Sequence, residues 1–248
     1  MKAVILSAGQ GRRLLPLTAE SPKCILRIHG QPLIEWQMRE LAKCGISQVT
    51  VVVGFGADQV EQFLADRYKP HQVQALYNPF FAVSDNLASC WVARTEMTEE
   101  FILLNGDTLF EAAVLQRLLD APARPVTMAT DRKRAYDADD MKVAVNGDGL
   151  VKVGKDLAPE QADGESIGML LFRGEGPALF RAAVERALRA PCALKQWYLS
   201  VIDTMAQSRL VWTLSIHGLR WVEVDSSADL DEAAKLVAGW AAELAESA

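Results

Sequence analysis

Apolar residues recur along the chain in two alternating patterns, and that alternation predicts the architecture. "KAVILS" at 2–7 is a continuous apolar run of strand length. "PLIEWQMRELAKCG" at 32–45 then shows helical spacing that stops at Gly45, and "QVTVVVG" at 48–54 returns to a β-branched run. The three make a βαβ unit. "DQVEQFLADRY" (58–68) reads as a helix, "VQALYN" (73–78) as a strand, and "SDNLASCWVARTEM" (84–97) as a helix capped by Ser84 or Asp85. "FILLNGD" (101–107) is a further buried strand. Strands alternating with helices imply a parallel sheet covered on both faces.

Beyond Pro125 the texture changes. "VTMAT", "KVAVNGDGLVKVG" and "SIGMLLF" are short strands with a turn at "NGDG", followed by the helices "PALFRAAVERALR" and "YLSVIDTMAQ". A mixed-sheet extension is expected here. "LRWVEVD" (219–225) is a last strand, and residues 227–247 form an amphipathic closing helix with Ser226 or Ser227 as its N-cap. The pattern shows no linker, repeat or low-complexity tract, so 1–248 is expected to be a single domain. With 248 residues and 50% hydrophobic content the chain has ample material for a packed core.

Composition narrows the function classes. A formal net charge of −6 argues against general nucleic-acid binding, which leaves a basic footprint. Cys24, Cys44, Cys90 and Cys192 are scattered without CxxC pairing, and the N-terminus lacks a signal peptide's cleavage region and the span of a membrane helix. A cytoplasmic protein without membrane or nucleic-acid partners is expected, as a monomer or homodimer.

Open α/β sheets bind ligands beyond the carboxyl ends of their strands. At the first of these exits an acidic chain gathers three cations: Arg12, Arg13 and Lys23 follow Gly9 and Gly11. A dinucleotide fingerprint is disfavoured, since its third glycine is replaced by Leu14 and "VVVGFG" offers no acidic residue for a ribose. A Walker loop is excluded by the lack of G-K-[ST] opening a helix. The string G-x-G-x-R-L-x-P-L-T-x-x-x-P-K, from Gly9 through Pro16 and Thr18 to Lys23, resembles the signature loop of the nucleotidyltransferases that make nucleoside-diphosphate sugars and alcohols. The resemblance continues through "GQPLIEWQMRELAKCGI", "NGD", "VGKDL" and "VEVDSSADLDEA".

The resemblance implies a Rossmann-like, three-layer α/β/α fold of glycosyltransferase-A type, with a mostly parallel mixed central sheet and a small substrate-binding extension. Residues 1–125 are then the nucleotide-binding half, and 126–248 the acceptor-binding half with the C-terminal helix. A nucleoside triphosphate brings about four negative charges, which glycine N–H groups, a guanidinium fork and a lysine point charge can meet. In the family pattern Arg13 holds the β- and γ-phosphates and Lys23 the α-phosphate, while Arg12 is a solvated neighbour. The base is read in the regions of Ala8, Gly9, Asn78 and Ser84.

Asp107 and Asp225 each end a predicted strand. A strand-end Asp often caps the next helix, a role open to Asp225. The pair together reads better as a Mg²⁺ site, because that ion takes one or two carboxylates plus phosphate oxygens and waters. The family resemblance implies the same, and Glu223 shares the face of Asp225 by period two. His29, His71 and His217 lie outside every motif.

The stretch "GDGLVKVGKDLAPEQADGESIGMLLF" resembles the cytidylyltransferases acting on inositol 1-phosphate and phosphocholine. It implies Lys155 as contact to the acceptor phosphate, although a hairpin lysine is commonly just solvated. A choline headgroup wants an aromatic cage with a carboxylate. Tyr136 and Trp197, with Trp91 and Tyr198, offer faces; Glu165, Asp137, Asp139 and Asp140 offer charge. Ser200 stands near where a phosphocholine relative carries an acidic residue. The expected activity is Mg²⁺-dependent condensation of CTP with a small phosphorylated alcohol, phosphocholine favoured and inositol 1-phosphate or an aminoalkyl phosphonate open, giving a CDP-alcohol and pyrophosphate. The alternatives are a sugar-1-phosphate uridylyl- or thymidylyltransferase and a non-catalytic nucleotide-binding regulator on the same fold.

Overall fold

The structure, a computed structural model, describes residues 1–245. The last positions of the helix expected over 227–247 lie outside them. β1 (Lys2–Ser7) leads through a long loop and a small hairpin, β2 (Arg27–Ile28) and β3 (Gln31–Pro32), into α1 (Leu33–Lys43). There follow β4 (Val49–Val53), α2 (Ala57–Arg67), β5 (Val73–Tyr77), α3 (Asn86–Val92), β6 (Phe101–Asn105), β7 (Thr108–Phe110) and α4 (Ala112–Leu119). The second half comprises β8 (Val126–Asp131), β9 (Lys142–Asn146), β10 (Gly149–Gly154), β11 (Gly164–Phe172), α5 (Gly176–Ala187) and α6 (Tyr198–Gln207). β12 (Val211–Ser215), β13 (Trp221–Glu223) and α7 (Ser227–Ala245) close the chain.

Nine strands form one sheet in the order β5-β4-β1-β6-β11-β8-β12-β10-β9. β1 pairs in parallel with both β4 and β6, so the chain switches direction of progress at β1 and leaves a crevice at its carboxyl end. β11 runs antiparallel between β6 and β8 and joins the parallel half to the mixed half. The expected extension is therefore part of the same sheet.

Alternation along β1 sorts the core into layers. Val4 and Leu6 pack with apolar residues of α3, α5 and α6, whereas Ala3 and Ile5 pack with those of α1, α2 and α4. The arrangement is α/β/α. A third cluster places Trp240, Val237 and Ala233 of α7 against Trp36 and Leu33 of α1.

Five elements were not expected from the pattern: β2, β3, β7, α4 and β12. Each is short and has few apolar positions to repeat, Val114, Leu115 and Leu118 carrying the buried face of α4. Caps also depart in part from expectation. Asp85 stands at the N-cap of α3 without a side-chain cap hydrogen bond, and the Ser84 hydroxyl donates to the Phe80 carbonyl 2.8 Å away. At α7 the expectation holds: Ser226 Oγ accepts from the Asp229 N–H at 3.3 Å, and Asp229 accepts from the N–H groups of Asp225 and Ser226. Capping is thus done by Ser226, which leaves the Asp225 carboxylate free for other work. Among the described residues no helix is long and apolar enough to cross a membrane.

Candidate active site

The site is assembled where three strands end. β1 and β6 run level, Leu6 opposite Asn105, so the first loop and the "NGD" turn leave the sheet side by side. Gly106 makes that approach possible: a Cβ there would lie 2.2 Å from Ser7 Oγ and 2.6 Å from the Leu6 carbonyl oxygen. Asp107 follows directly. β13 arrives from the far end of the chain and pairs antiparallel to β7, Glu223 opposite Thr108. The Val224 N–H donates to the Asp107 carbonyl at 2.9 Å, which brings Asp225 beside Asp107 across more than one hundred residues of sequence.

The first loop supplies the cations. Gly11 sits at φ +70°, a left-handed conformation, and any side chain there would meet Lys23, whose Cδ lies 2.8 Å from the ideal Cβ position. Thr18, fully buried, donates to the Gly11 carbonyl at 2.9 Å and folds the loop back on itself. Lys23 is thereby buried on a short 3-10 turn, with Nζ 2.9 Å from Asp107 Oδ2 and 2.5 Å from Asp225 Oδ1. Burial works against its charge, but Asp107 and Asp225 outweigh it and hold the pKa above the ordinary lysine value. The Arg13 guanidinium contacts Asp225 Oδ2 at 2.5 Å and Asp139 Oδ2 at 3.4 Å.

Asp107, Glu223 and Asp225 each offer a carboxylate oxygen within 4.8 Å of the other two. Glu223 opens toward solvent at the cavity mouth, yet crowding by the surrounding protein, then the charges of Asp107 and Asp225, push its pKa up. Asp107 Oδ1 is buried without a hydrogen-bond partner. Three hard oxygen donors, one of them unsatisfied, fit a hard divalent ion such as Mg²⁺ better than a softer metal.

Two cavities meet at these carboxylates. One, of about 380 Å³, is lined by the expected nucleotide-side residues Ala8, Gly9, Gly11, Arg13, Lys23, Asn78 and Ser84. Arg12 stands at its edge, exposed as expected. The polar atoms of Asn78 are committed to the loop: Nδ2 donates to Ser89 Oγ at 3.1 Å and Oδ1 accepts from the Phe80 N–H at 2.9 Å. The second cavity, of about 590 Å³, is lined by Lys155, Glu165 and Trp197 among others. Tyr136 stands beside it, its ring centroid 6.0 Å from Lys133 Nζ. Arg13, Asn86, Asn105, Asp107, Trp197 and Asp225 belong to both cavities, so the acidic cluster forms the wall between them.

The pattern reading missed two residues. Gln37, fully buried on α1, donates through Nε2 to the carbonyls of Asn105 and Thr108, each at 2.9 Å, and so clamps the turn that carries Asp107. Its signal was a polar residue within the apolar face of α1. Lys133 contacts Asp140 at 2.5 Å and Glu165 at 3.1 Å, and its signal was the switch from basic to acidic residues in "DRKRAYDADD". His29 and His71 are exposed outside both cavities, while the His217 ring lies 3.2 Å from Asp131, which lines the second.

The chain is 28% identical over 241 residues to CMP-5'-(3-aminopropyl)phosphonate synthase of Streptomyces rubellomurinus, covering 94% of this chain and 38% of that protein. It is 32% identical over 111 residues to choline-phosphate cytidylyltransferase of Streptococcus pneumoniae, covering 45% of this chain and 47% of that one. The matches thus span about half the length of these curated relatives, or less. The inositol-1-phosphate CTP transferase from T. maritima superposes with a TM-score of 0.80 at 22% identity, over 96% of this chain and 94% of that one, which shows a shared fold. The model of the MobA-like NTP transferase domain matches residues 3–209, the span that carries the first loop, the "NGD" turn and every strand of the large sheet except β12. With a crevice at the switch strand, a glycine-bearing cationic loop and that match over most of its length, the chain belongs to the MobA-like NTP transferase domain family.

Proposed function

We propose that the protein transfers a cytidylyl group from CTP to a small phosphorylated alcohol or phosphonate, releasing pyrophosphate. The observation that carries this reading is the wall of Asp107 and Asp225 between two cavities, with Lys23 and Arg13 on it. A reaction joining two substrates at one phosphorus atom needs such a shared wall. The motif resemblance favours phosphocholine as acceptor, and the aminopropylphosphonate and choline-phosphate relatives support cytidine as the base.

In this reading residues 1–125 hold the triphosphate and the later half holds the acceptor. An acceptor phosphate oxygen forms a bond to the α-phosphorus, and the bond from that phosphorus to the bridging oxygen of the β-phosphate breaks. No general base is required, because a phosphate monoester with a second pKa of about 6 is largely dianionic at neutral pH. Backbone N–H groups at Gly9 and Gly11 approach phosphate oxygens, Arg13 grips the departing β- and γ-phosphates, and Lys23 neutralises the α-phosphate under attack. Asp107, Asp225 and Glu223 would hold Mg²⁺, which when bound supplies charge neutralisation and alignment for in-line displacement. When the triphosphate enters, Lys23 exchanges its carboxylate partners for a phosphate oxygen. Lys155, over the Trp197 ring at 4.6 Å, meets the acceptor phosphate.

The test is pyrophosphate release across four nucleoside triphosphates and a panel of phospho-alcohols, phosphonates and sugar 1-phosphates, with Mg²⁺. CTP with a phospho-alcohol or phosphonate is expected to lead. In Asp107→Ala turnover is expected to fall by about 10²-fold or more with far-UV circular dichroism retained, since the residue lies at a strand exit. Near-normal turnover of that variant overturns the carboxylate assignment. Nucleotide binding without release from any pair favours a regulator.

A further inference from the structure

The loop 132–141 between β8 and β9 places two opposite charges into the second cavity, each against a fixed partner that belongs to another element. Lys133 points its ammonium at Glu165 of β11, 3.1 Å away, and at Asp140, 2.5 Å away. Asp139 sets its carboxylate on Lys155, 3.1 Å away, and on Arg13 at 3.4 Å. The recipients are built in: Glu165 is 7% exposed, in the long strand that joins the two halves of the sheet, and Lys155 lies over Trp197. The loop charges are not: Asp139 is 67% exposed and Lys133 38% exposed in their side chains. The end of the loop is tethered by Lys142, almost fully buried, whose ammonium donates to the carbonyls of Asp137 at 2.8 Å and Asp140 at 3.3 Å.

A loop cation on a buried acid, and an exposed loop anion on the cations next to the nucleotide wall, mark the two ends of one small molecule. We propose that the acceptor is a zwitterion, a phosphate or phosphonate bearing a primary ammonium, whose anionic end displaces Asp139 from Lys155 and whose ammonium displaces Lys133 from Glu165. This rests on the cytidylyl transfer proposed above and replaces the phosphocholine headgroup favoured by the motif resemblance with one bearing a primary ammonium. Asp140 stays as the second acceptor of the ammonium, held by the Asp137 N–H at 2.6 Å and by the Lys142 tether.

The distances select the type of cation. An N–H donor reaches a carboxylate oxygen at hydrogen-bond distance, as Lys133 does, and such charge-assisted bonds are the strong ones. A trimethylammonium nitrogen has no N–H and relies on aromatic faces around it. Here the ring over the Lys133 ammonium is Tyr136 at 6.0 Å, and Trp197 lies under the Lys155 ammonium at 4.6 Å. Burial, followed by Asp140, also raises the Glu165 carboxyl to about 7 despite Lys133.

The experiment measures pyrophosphate release from CTP and Mg²⁺ with O-phosphoethanolamine, phosphocholine and ethyl phosphate, three acceptors that share a phosphate and differ in the headgroup. The wild-type protein is expected to show at least tenfold higher kcat/KM for O-phosphoethanolamine than for the other two. In Glu165→Gln the ratio of O-phosphoethanolamine to ethyl phosphate is expected to fall tenfold or more. In Lys133→Met the KM for O-phosphoethanolamine is expected to fall severalfold, because the resident competitor is gone. Preference for phosphocholine, an unmoved ratio in Glu165→Gln, or a raised KM in Lys133→Met overturns the inference. The wild-type ranking stands even where a variant fails to fold. Release with ethyl phosphate but no preference for the ammonium sinks the headgroup assignment alone. No release from any acceptor sinks the transferase reading, and the assignment with it.

Discussion

Glu165 carries a cost in the folded chain that its position explains. Buried in β11 with Asp140 nearby, its carboxyl keeps a proton up to about 7 against an ordinary value of 4.5, even with Lys133 beside it. Between those values the folded state holds more proton than the unfolded one, so stability falls as pH rises from 4.5 through 7. Glu165→Gln removes that dependence. Near pH 4.5 the variant and the parent are expected to melt alike; above pH 8 the variant is expected to be more stable by on the order of 2 kcal/mol. Thermal melts of both proteins at the two pH values check this, and an equal gap at both contradicts it. In the zwitterion reading proposed above, that destabilising carboxylate is the partner of the acceptor's ammonium, in keeping with the common trade between stability and activity. At this scale Arg13, Lys23, Asp107 and Asp225 were legible in the sequence, because each sits at a strand exit inside a recognisable string. Lys133 was not, because its importance arises from Glu165, thirty-two residues on and in another strand.

α1 does more than cover one face of the sheet. Its apolar residues, Ile34, Met38 and Leu41, pack on the strands, while Gln37 reaches the turn between β6 and β7 and ties both sides of Asp107. Replacing that amide by an apolar group leaves two buried carbonyls without their donor. Gln37→Leu is therefore expected to lose about 2–4 kcal/mol of stability, read by urea denaturation. It is also expected to weaken Mn²⁺ binding, read by paramagnetic resonance of the metal alone, and to lower kcat more than it raises the KM for CTP. Intact metal affinity in a destabilised variant would reduce Gln37 to a packing residue. Gln37→Glu fills the same volume but replaces the donor with an acceptor, and is expected to behave like Gln37→Leu. The helix itself was legible from its apolar spacing and Gly45. The clamp was not, since periodicity marks which face is buried and says nothing about which carbonyl a buried amide meets. β7 was hidden for a related reason: a strand of three residues carries too little pattern, and although β13 lies within the strand expected over 219–225, its pairing with β7 is a long-range event.

Across the whole molecule the acidic wall depends on a part of the chain beyond the matched family span. Residues 3–209 supply Lys23, Asp107 and both cavities' main walls, but Glu223 and Asp225 come from β13 and the turn into α7. That turn is held at two points, by the Ser226–Asp229 cap and by α7 lying on α1. The second contact centres on Trp240, 1% exposed, with its ring centroid 6.0 Å from that of Trp36. Trp36 in turn donates its indole N–H to the Ile28 carbonyl at 2.9 Å, and Arg39 stacks over its ring at 4.7 Å while donating to the Trp240 carbonyl. Cutting Trp240 to Ala empties the centre of this third cluster, a loss of about 3–5 kcal/mol for a buried indole. The cap at Ser226 survives the substitution, so the damage is expected to appear as looser seating of α7 rather than loss of the helix. Asp225 is then expected to share an ion with Asp107 less well, raising the Mg²⁺ concentration needed for half-maximal turnover severalfold while the KM for CTP at saturating metal changes little. If Trp240→Ala lowers stability by that amount yet leaves the metal requirement unmoved, α7 serves only the core, and β13 alone holds Asp225 in place.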